Sequence, residues 1–386
     1  MKKVLIASTA LVAATMFSGA ASASEKIKLE LGGFSKWWVV GQWQEGSFQS
    51  NNNARGAQGD YNSVDIKGDN EIFFGGSTTL DNGMKVGINI ELEAGGNTGT
   101  NAASTNGNDS ADIIDKSSVF VESGFGKVIL GSEANGAALL HVFAPDAAGN
   151  TDSDGIITGG YSIVRPNAVN RRVSTSIDTD DNAEKITYVA PSFYGLTVGA
   201  TYVPNTSEDI RSSARLNTAS NVAGEIYGVG ALYAKTFGGV DLKVSAGWAT
   251  YDAEAGLMQP TKVNEYTAGT QIGYAGFTVG GSYRKVNAAN ILAPNGFGAG
   301  DVWDMGVQYA SGPYAVSFVY FQSIQQATVG GGDDRFSVYQ ASGKYSLGAG
   351  VDALATVGRG KYAGTSGLDQ DQNTGWSAMT GLSLAF

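Results

Sequence analysis

The sequence contains no cysteine and a single histidine, His141. Without cysteine there is no disulfide to brace the fold and no thiolate to ligate a metal. One histidine excludes the multi-histidine zinc sites of hydrolases and leaves a single candidate base for a Ser-His pair. Proline is scarce, at 7 residues. Beyond the N-terminal region no stretch approaches the twenty continuous apolar residues of a membrane helix. Positive charge is also short, with 25 Lys and Arg against 36 Asp and Glu and a net charge of −11. That balance argues against nucleic acid as a partner, because phosphates are left without counter-charge.

The N-terminus MKKVLIASTALVAATMFSGAASA has Lys2 and Lys3 ahead of an uncharged, mostly apolar run from Val4 to Phe17. Ala21-Ser22-Ala23 supplies the small-residue cleavage pattern, which predicts a bacterial export signal over residues 1–23. The run is short and rich in small residues for a membrane anchor. Residues 24–386 are then one mature domain with no linker inside it. Its charge is −13, since removing two lysines leaves 23 basic residues (25 − 2) against 36 acidic ones. Glycine is abundant, with 55 residues, but follows no strict period, which excludes collagen.

The dominant pattern is alternation. In VDLKVSAGWAT, Val240, Leu242, Val244, Ala246 and Trp248 share one parity. MKVGINIEL repeats it, with Met84, Val86, Ile88, Ile90 and Leu92 on one face and Lys85, Gly87, Asn89 and Glu91 on the other. A period of two means strands with unlike faces. Short turn signals join them in pairs at LDNGM, SGFGK, APSFYGL, KTFGGV, GYAGF, ASGPY and YSLGAG. Longer polar stretches separate the pairs. Sixteen strand starts are expected, near Lys26, Asn70, Met84, Ile114, Gly126, Ala183, Gly195, Gly224, Gly239, Asn264, Gly276, Asp301, Pro313, Asp333, Ala349 and Thr374.

An even count with short turns at one end and long loops at the other is the pattern of an all-β, 16-stranded antiparallel transmembrane β-barrel. A soluble sandwich shows the same alternation. It does not explain the glycines and charges on the non-apolar faces, the strict alternation of loop lengths, or the aromatics near strand ends. Those aromatics are Trp37, Trp43, Tyr188, Tyr202, Tyr227, Trp248, Tyr283, Tyr309, Tyr320 and Phe386. The last strand, ending WSAMTGLSLAF, would turn Leu382, Leu384 and Phe386 to lipid and Gly381 and Ser383 to the lumen. Pairing it with KIKLELGGF closes the sheet and leaves no edge, which gives Phe386 a place in barrel closure.

With the strand KIKLELGGF, the unit ITYVAPSFYGLTVGATYV and the terminal phenylalanine in this order, the whole mature chain resembles a Gram-negative general porin of the sixteen-stranded trimeric kind known from alphaproteobacteria. The resemblance implies a bacterial outer-membrane location, a homotrimer, contact with membrane lipids and lipopolysaccharide, and an assembly-signal role for Phe386. It also implies a water-filled channel for ions and small hydrophilic solutes, with no catalysis and no required cofactor. Residues 133–182 form the longest interruption, where such porins carry a third long loop folded into the lumen. Their apolar content, including Leu139, Leu140, Val142, Phe143, Ile156 and Ile157, suits packing against a barrel wall.

In such porins acidic loop residues face basic wall residues across the constriction, a field that selects by charge. Glu133, Asp146, Asp152 and Asp154 are the acidic candidates here. Lumen parity offers Lys28, Lys36, Lys85, Lys116, Lys127 and Lys185, of which Lys28, Lys36, Lys85 and Lys116 are assigned to the basic side. The family often uses arginine there, whereas Arg165, Arg171 and Arg172 lie in the loop itself. These are expected to anchor it to wall acids such as Glu91, Glu93 or Glu122. The acid excess predicts a weak preference for cations. NTDSDG makes Asp152 and Asp154 candidate ligands for a structural calcium ion, although the bidentate glutamate of a calcium hand is missing. The alternatives are a sugar- or phosphate-selective porin and a non-conducting structural or adhesive barrel. Large apolar residues are expected to be largely absent from the inner face, as an open lumen requires.

Overall fold

The computed structural model describes residues 26–50, 61–94, 114–151, 163–180, 182–206, 222–254, 261–288, 298–327 and 332–386. The expected export signal therefore lies outside the described residues, as do Asp152 and Asp154. Among the described residues the strands are β1 (Glu30–Gln44), β2 (Val64–Thr79), β3 (Lys85–Glu93), β4 (Ile114–Ser123), β5 (Gly126–Ser132), β6 (Glu184–Val189), β7 (Leu196–Asn205) and β8 (Val222–Phe237). They continue with β9 (Val240–Glu254), β10 (Thr261–Tyr274), β11 (Phe277–Ala288), β12 (Gly300–Ser311), β13 (Tyr314–Gln326), β14 (Asp333–Gly348), β15 (Val351–Ala363) and β16 (Gln372–Ala385). Among the described residues two short α-helices, α1 (Gly46–Ser50) and α2 (Gly136–Leu139), and a 3-10 turn at Asp369–Asp371 interrupt the loops.

Each strand pairs antiparallel with its sequence neighbour, and β1 pairs with β16 to close the sheet into a barrel. Closure places backbone donors and acceptors in ladders and removes the edge that lipid could not solvate. The closing register runs from Phe34 opposite Ala385 to Gln44 opposite Gly375. Phe386 extends it by one rung, exchanging backbone hydrogen bonds of 3.1 Å with Gly33 in both directions.

The short turns fall where their residue chemistry places them. Gly238 and Gly239 both adopt positive φ, 55° and 91°, as a two-residue hairpin turn demands. Strand starts agree within a few residues except at β1 and β2. β1 begins at Glu30 and not Lys26, and β2 begins at Val64, six residues before Asn70. The segment Val64-Asp65-Ile66-Lys67 pairs with the far end of β1, so its alternation belongs to the sheet and not to the preceding loop.

Outward parity is apolar: Val39, Val119, Leu130, Val198, Val279, Val316, Val357 and Leu382 are all exposed. Aromatic rings bracket this band. Tyr274, Phe277, Tyr309, Tyr314, Tyr345 and Phe386 lie toward the short turns, and Trp43, Tyr283, Tyr339 and Trp376 toward the long loops. Cross-strand ring pairs tie the belts together, as with Phe277–Tyr309 at 4.6 Å and Tyr320–Tyr339 at 4.4 Å.

The inner face corrects one expectation. Large apolar residues do occupy inward positions, in two clusters. Trp38, Val40, Val302, Phe321, Phe336, Val338, Leu354, Tyr362 and Met379 pack with loop residues Ile163 and Val169. Val203, Ile226, Tyr251, Val263 and Val286 form the other. These side chains are buried because the long segment after β5 covers them, not because the barrel is filled by its own wall.

Candidate functional site: the loop ribbon and the charged wall

The segment after β5 is fastened along the inside of the barrel. Asn135 caps α2, accepting from the backbone N–H of Ala137 and Ala138, both at 2.9 Å. Its amide Nδ2 donates to Ile177 O and Asp180 Oδ1 on the returning arm of the segment. From α2 onward the chain touches successive strands. Gly136 N donates to Thr201 on β7, Val142 N to Ser245 on β9, Ala144 N to Asp304 on β12 and Ala147 N to Ser317 on β13. Asn150 then reaches Thr356 on β15 at 3.1 Å. The returning arm runs the other way. Asn373 on β16 holds Val164 O, Asp334 on β14 accepts from Asn170 N, and Ser323 on β13 accepts from Arg172 N. Outgoing and returning arms thus form a ribbon against β7 to β16, and Val164 N donates across the closing seam to Gln44 on β1.

Glycines under the outgoing arm let the two backbones meet. A Cβ at Gly230 would lie 2.6 Å from Ala137 Cα, and one at Gly306 would lie 3.0 Å from Pro145 O. At Gly269 it would overlap the carbonyl oxygen of Val142 outright. The inward glycines read in the sequence as open lumen are, on these strands, the seat of the ribbon.

A buried charge cluster holds the returning arm. Arg284 on β11 donates through Nε to Glu265 Oε2 at 2.8 Å, through NH1 to Asp178 and through NH2 to Thr179 Oγ1 at 2.9 Å. Glu265, wholly buried, also accepts from Tyr251 Oη at 2.5 Å and from Thr179. Near it, burial pushes the Arg172 guanidinium below its usual range, with the Arg284 charge adding to that. At the end of the ribbon Lys185 pairs with Asp180 at 3.0 Å and donates to the carbonyl of Glu133.

His141 sits between arm and wall. Its ring nitrogens lie 3.1 Å from the hydroxyls of Thr175 and Thr267, and Phe143 meets it edge-on at 4.5 Å. Burial, with the nearby Arg284 charge, lowers its pKa to about 3. A docked His141 is therefore neutral where a solvated imidazole, titrating near 6.5, takes up a proton. The undocked arm binds more protons below that value, so docking is at full strength above pH 6.5 and weakens as pH falls toward 3. The difference between the two limits is on the order of 5 kcal/mol. Open-channel noise is expected to rise on acidification across that window in the wild type. His141→Gln, which cannot charge, should flatten the rise; an identical pH profile would remove His141 as its cause.

The opposite wall, β1 to β5, carries charge. Lys67, Asp69 and Glu71 on β2 face inward, as do Lys85, Glu91 and Glu93 on β3. A register shift between β3 and β4 turns the consecutive residues Asp115 and Lys116 to the same side. Lys116 then bonds Glu91 Oε2 at 2.7 Å and lies 3.6 Å from Asp115, while Lys36 pairs with Asp69 at 3.4 Å. Oxygens of Glu71, Glu91 and Asp115 come within 4.8 Å of one another, and the Lys116 ammonium supplies counter-charge there.

The residues assigned to a transverse field are thus not arranged as expected. Lys36 and Lys116 stand on the wall, each in an ion pair with a wall acid. Lys28 precedes β1 and is exposed, with its carbonyl beside Gly76, because β1 begins later than its alternation suggests. Lys85 opens β3 at the short-turn end, opposite Glu122. Glu133 lies within electrostatic reach of Lys116 and Lys127. Asp146 faces the wall instead, accepting from Ser317 Oγ at 2.6 Å, Gln340 Nε2 at 2.9 Å and Asn150 N at 2.8 Å. Two of the three arginines are corrected too. Arg172 lies beside Glu265 and Asp178, and Arg171 lies over the rings of Phe336 and Tyr362 at 5.3 and 5.7 Å. Neither reaches β3 or β4, because the returning arm runs along the far side of the barrel.

A closed sixteen-stranded sheet with a ribbon seated inside it can now be set beside known proteins. A family model described as Gram-negative porin matches residues 7–365. The chain belongs to the Gram-negative porin family. Among solved structures, this porin resembles the anion-selective porin of Comamonas acidovorans, with a TM-score of 0.63 and 16% identity over 94% of this chain and 100% of that one. The outer membrane channel DcaP of Acinetobacter baumannii gives 0.61 and 12%, covering 95% and 100%. OmpT of Vibrio cholerae, an outer membrane protein seen in a trimer form, gives 0.56 and 11%, covering 94% and 100%. No curated protein matches by sequence. The porin is an outer-membrane channel, and its family and fold are those of channel proteins.

Proposed function

We propose that this porin is a trimeric general diffusion channel for ions and small hydrophilic solutes, weakly selective for cations. Residues 133–182 narrow its lumen, and residues 1–23 are the export signal removed from it. The observation that carries the reading is the division of the inner face. The described parts of the ribbon are bonded across β7 to β16 and touch the long-loop half of β1 at Gln44, Trp38 and Val40, which leaves water the charged wall of β2 to β5 with Lys36 of β1. There the inward carboxylates Asp65, Asp69, Glu91, Glu93, Asp115 and Glu122 are set against Lys36, Lys67, Lys85, Lys116 and Lys127. Charges lining a narrow path bordered by low-dielectric walls raise the local concentration of the opposite ion. The acid excess on this wall favours cations. Catalysis has no part in the reading, since the sole histidine is enclosed between two hydroxyls.

The Comamonas relative is named anion-selective, and that is the competing selectivity. Single-channel recording in a planar bilayer under a salt gradient separates the two. Stable steps closing in threes, with a reversal potential of cation sign, are expected. Neutralising Glu93 and Glu122 together as glutamines should move that potential toward zero or past it. An anion-signed potential in the wild type would overturn the cation preference and support the competing reading. No conductance from a folded barrel would overturn the channel.

A further inference from the structure

Two lysines of the charged wall lie against aromatic rings. Phe34 on β1, Phe73 on β2 and Phe120 on β4 have inward parity and are partly exposed. The Lys36 ammonium stands 4.5 Å from the centre of the Phe34 ring and 3.4 Å from Asp69. The Lys127 ammonium stands 4.3 Å from the centre of the Phe120 ring, within electrostatic reach of Glu122 and Glu133. In both places a cation rests on the electron-rich face of a ring with carboxylates close by. The wall thus holds an ammonium group twice by the same pair of attractions.

Phe73 has the ring and the carboxylates without the lysine. It lies opposite Gly32 on β1 and Glu91 on β3, with Glu93 on the adjoining diagonal. Gly32 has no side chain to cover that flank. The Phe34 ring approaches to 6.0 Å between centres, its plane turned by 61°. Among the described residues no lysine or arginine stacks on Phe73. Around it Asp69, Glu91, Glu93 and Asp115 outnumber Lys36 and Lys116. A hydrated inorganic cation gains from those carboxylates alone. A cation with an apolar body also gains from the ring, through its quadrupole and the apolar area it covers. A neutral solute forfeits the charge, and an anion is repelled by ring face and carboxylates alike. Organic ammonium ions are the class that uses both halves of the arrangement.

We propose that Phe73, beside Glu91 and Glu93, is a binding step for organic ammonium ions moving through the lumen. The site rests on the reading of this chain as a cation-preferring channel and names the class of cation that the wall retains. Phe73 acts as a specificity residue: the carboxylates admit cations in general, and the ring delays those with an apolar body.

The test is the block of potassium current by choline in single-channel recordings of the purified porin. Its uncharged isostere, in which a tert-butyl group replaces the trimethylammonium, is the comparison. Choline should reduce the wild-type current saturably, and the isostere at equal concentration should not. In F73L the choline concentration for half block should rise about fivefold, as loss of one cation–ring contact would give. F73W, with the stronger ring, should reach half block at a lower concentration than the wild type. Phe277→Leu, on the lipid face, should change nothing. Equal block in the wild type and F73L, or equal block by the isostere, would overturn the site. Should F73L not fold, an F73W channel no more sensitive than the wild type overturns it. The salt-gradient potential keeps the two readings apart. A cation-signed wild type whose block ignores Phe73 defeats only the site, and an anion-signed one whose block needs Phe73 defeats only the cation preference. If the wild type is silent, saturation-transfer NMR of the choline methyl groups reads the same site, and a signal unchanged by F73L overturns it.

Discussion

A porin carrying Arg284→Met is expected to fold and insert as a barrel whose current is larger and noisier than that of the wild type. The sheet does not need this side chain, because its strands are held by backbone ladders on both sides of β11. The returning arm does need it. Arg284 is the shared donor to Glu265 on the wall and to Asp178 and Thr179 on the arm. Without it Glu265 keeps the hydroxyls of Tyr251 and Thr179 and the neighbouring Arg172 charge but loses its two bonds to a guanidinium, and Asp178 loses its ion pair. Removing one partner of a buried pair costs about 3–5 kcal/mol, much of it from the charge left behind. That cost is relieved most cheaply by letting the arm leave the wall, which hydrates Glu265. Adding Glu265→Gln and Asp178→Asn to the variant removes the stranded charges and should restore much of the quiet current. If Arg284→Met alone leaves conductance and noise unchanged, the cluster does not hold the ribbon.

The barrel was legible in the sequence because its signals are local. Alternation in VDLKVSAGWAT and the Gly-Gly turn before it each involve neighbours in the chain, and both appear in β9 and its hairpin as read. Even the late start assigned to β2 was a failure of boundary and not of kind, since Val64-Asp65-Ile66-Lys67 alternates as clearly as the rest. The ribbon is different. Asp146 looked like a lumen acid because nothing near it in sequence shows that Ser317 and Gln340, far along the chain, converge on it. Arg171 and Arg172 miss Glu91, Glu93 and Glu122 for the same reason: charge chooses a partner sign, but the path of the loop chooses the strand. One signal of the ribbon is local. Glu265, Arg284 and Asp304 all have lumen parity on later strands. A charge inside a strand at that parity needs either water or a covering partner. Extending the parity reading past β6 finds the wall half of the latch, though not Asp178.

The glycines carry the second large prediction. Replacing Gly230 by valine should unseat the outgoing arm at α2, because the new Cβ would stand 2.6 Å from Ala137 Cα and 2.7 Å from Gly136 O. These are backbone atoms of a helix fixed by Asn135, so they cannot swing aside as a long side chain would. Overpacking of this kind costs about 1–3 kcal/mol where the surroundings can relax, and here relaxation means displacement of the arm. The barrel should survive, since valine suits a strand and Gly230 lies within the paired run of β8 and β9. Gly343→Ala is the matched control: it lies on β14 at outward parity, and its nearest contact would be an ordinary 3.9 Å from Ala315 O. Conductance should rise in the first variant and stay at the wild-type value in the second. A rise in both would mean that any added side chain disturbs the barrel. A rise in neither would mean that α2 accommodates a side chain at Gly230, and that this glycine is not what lets the loop lie flat against β8.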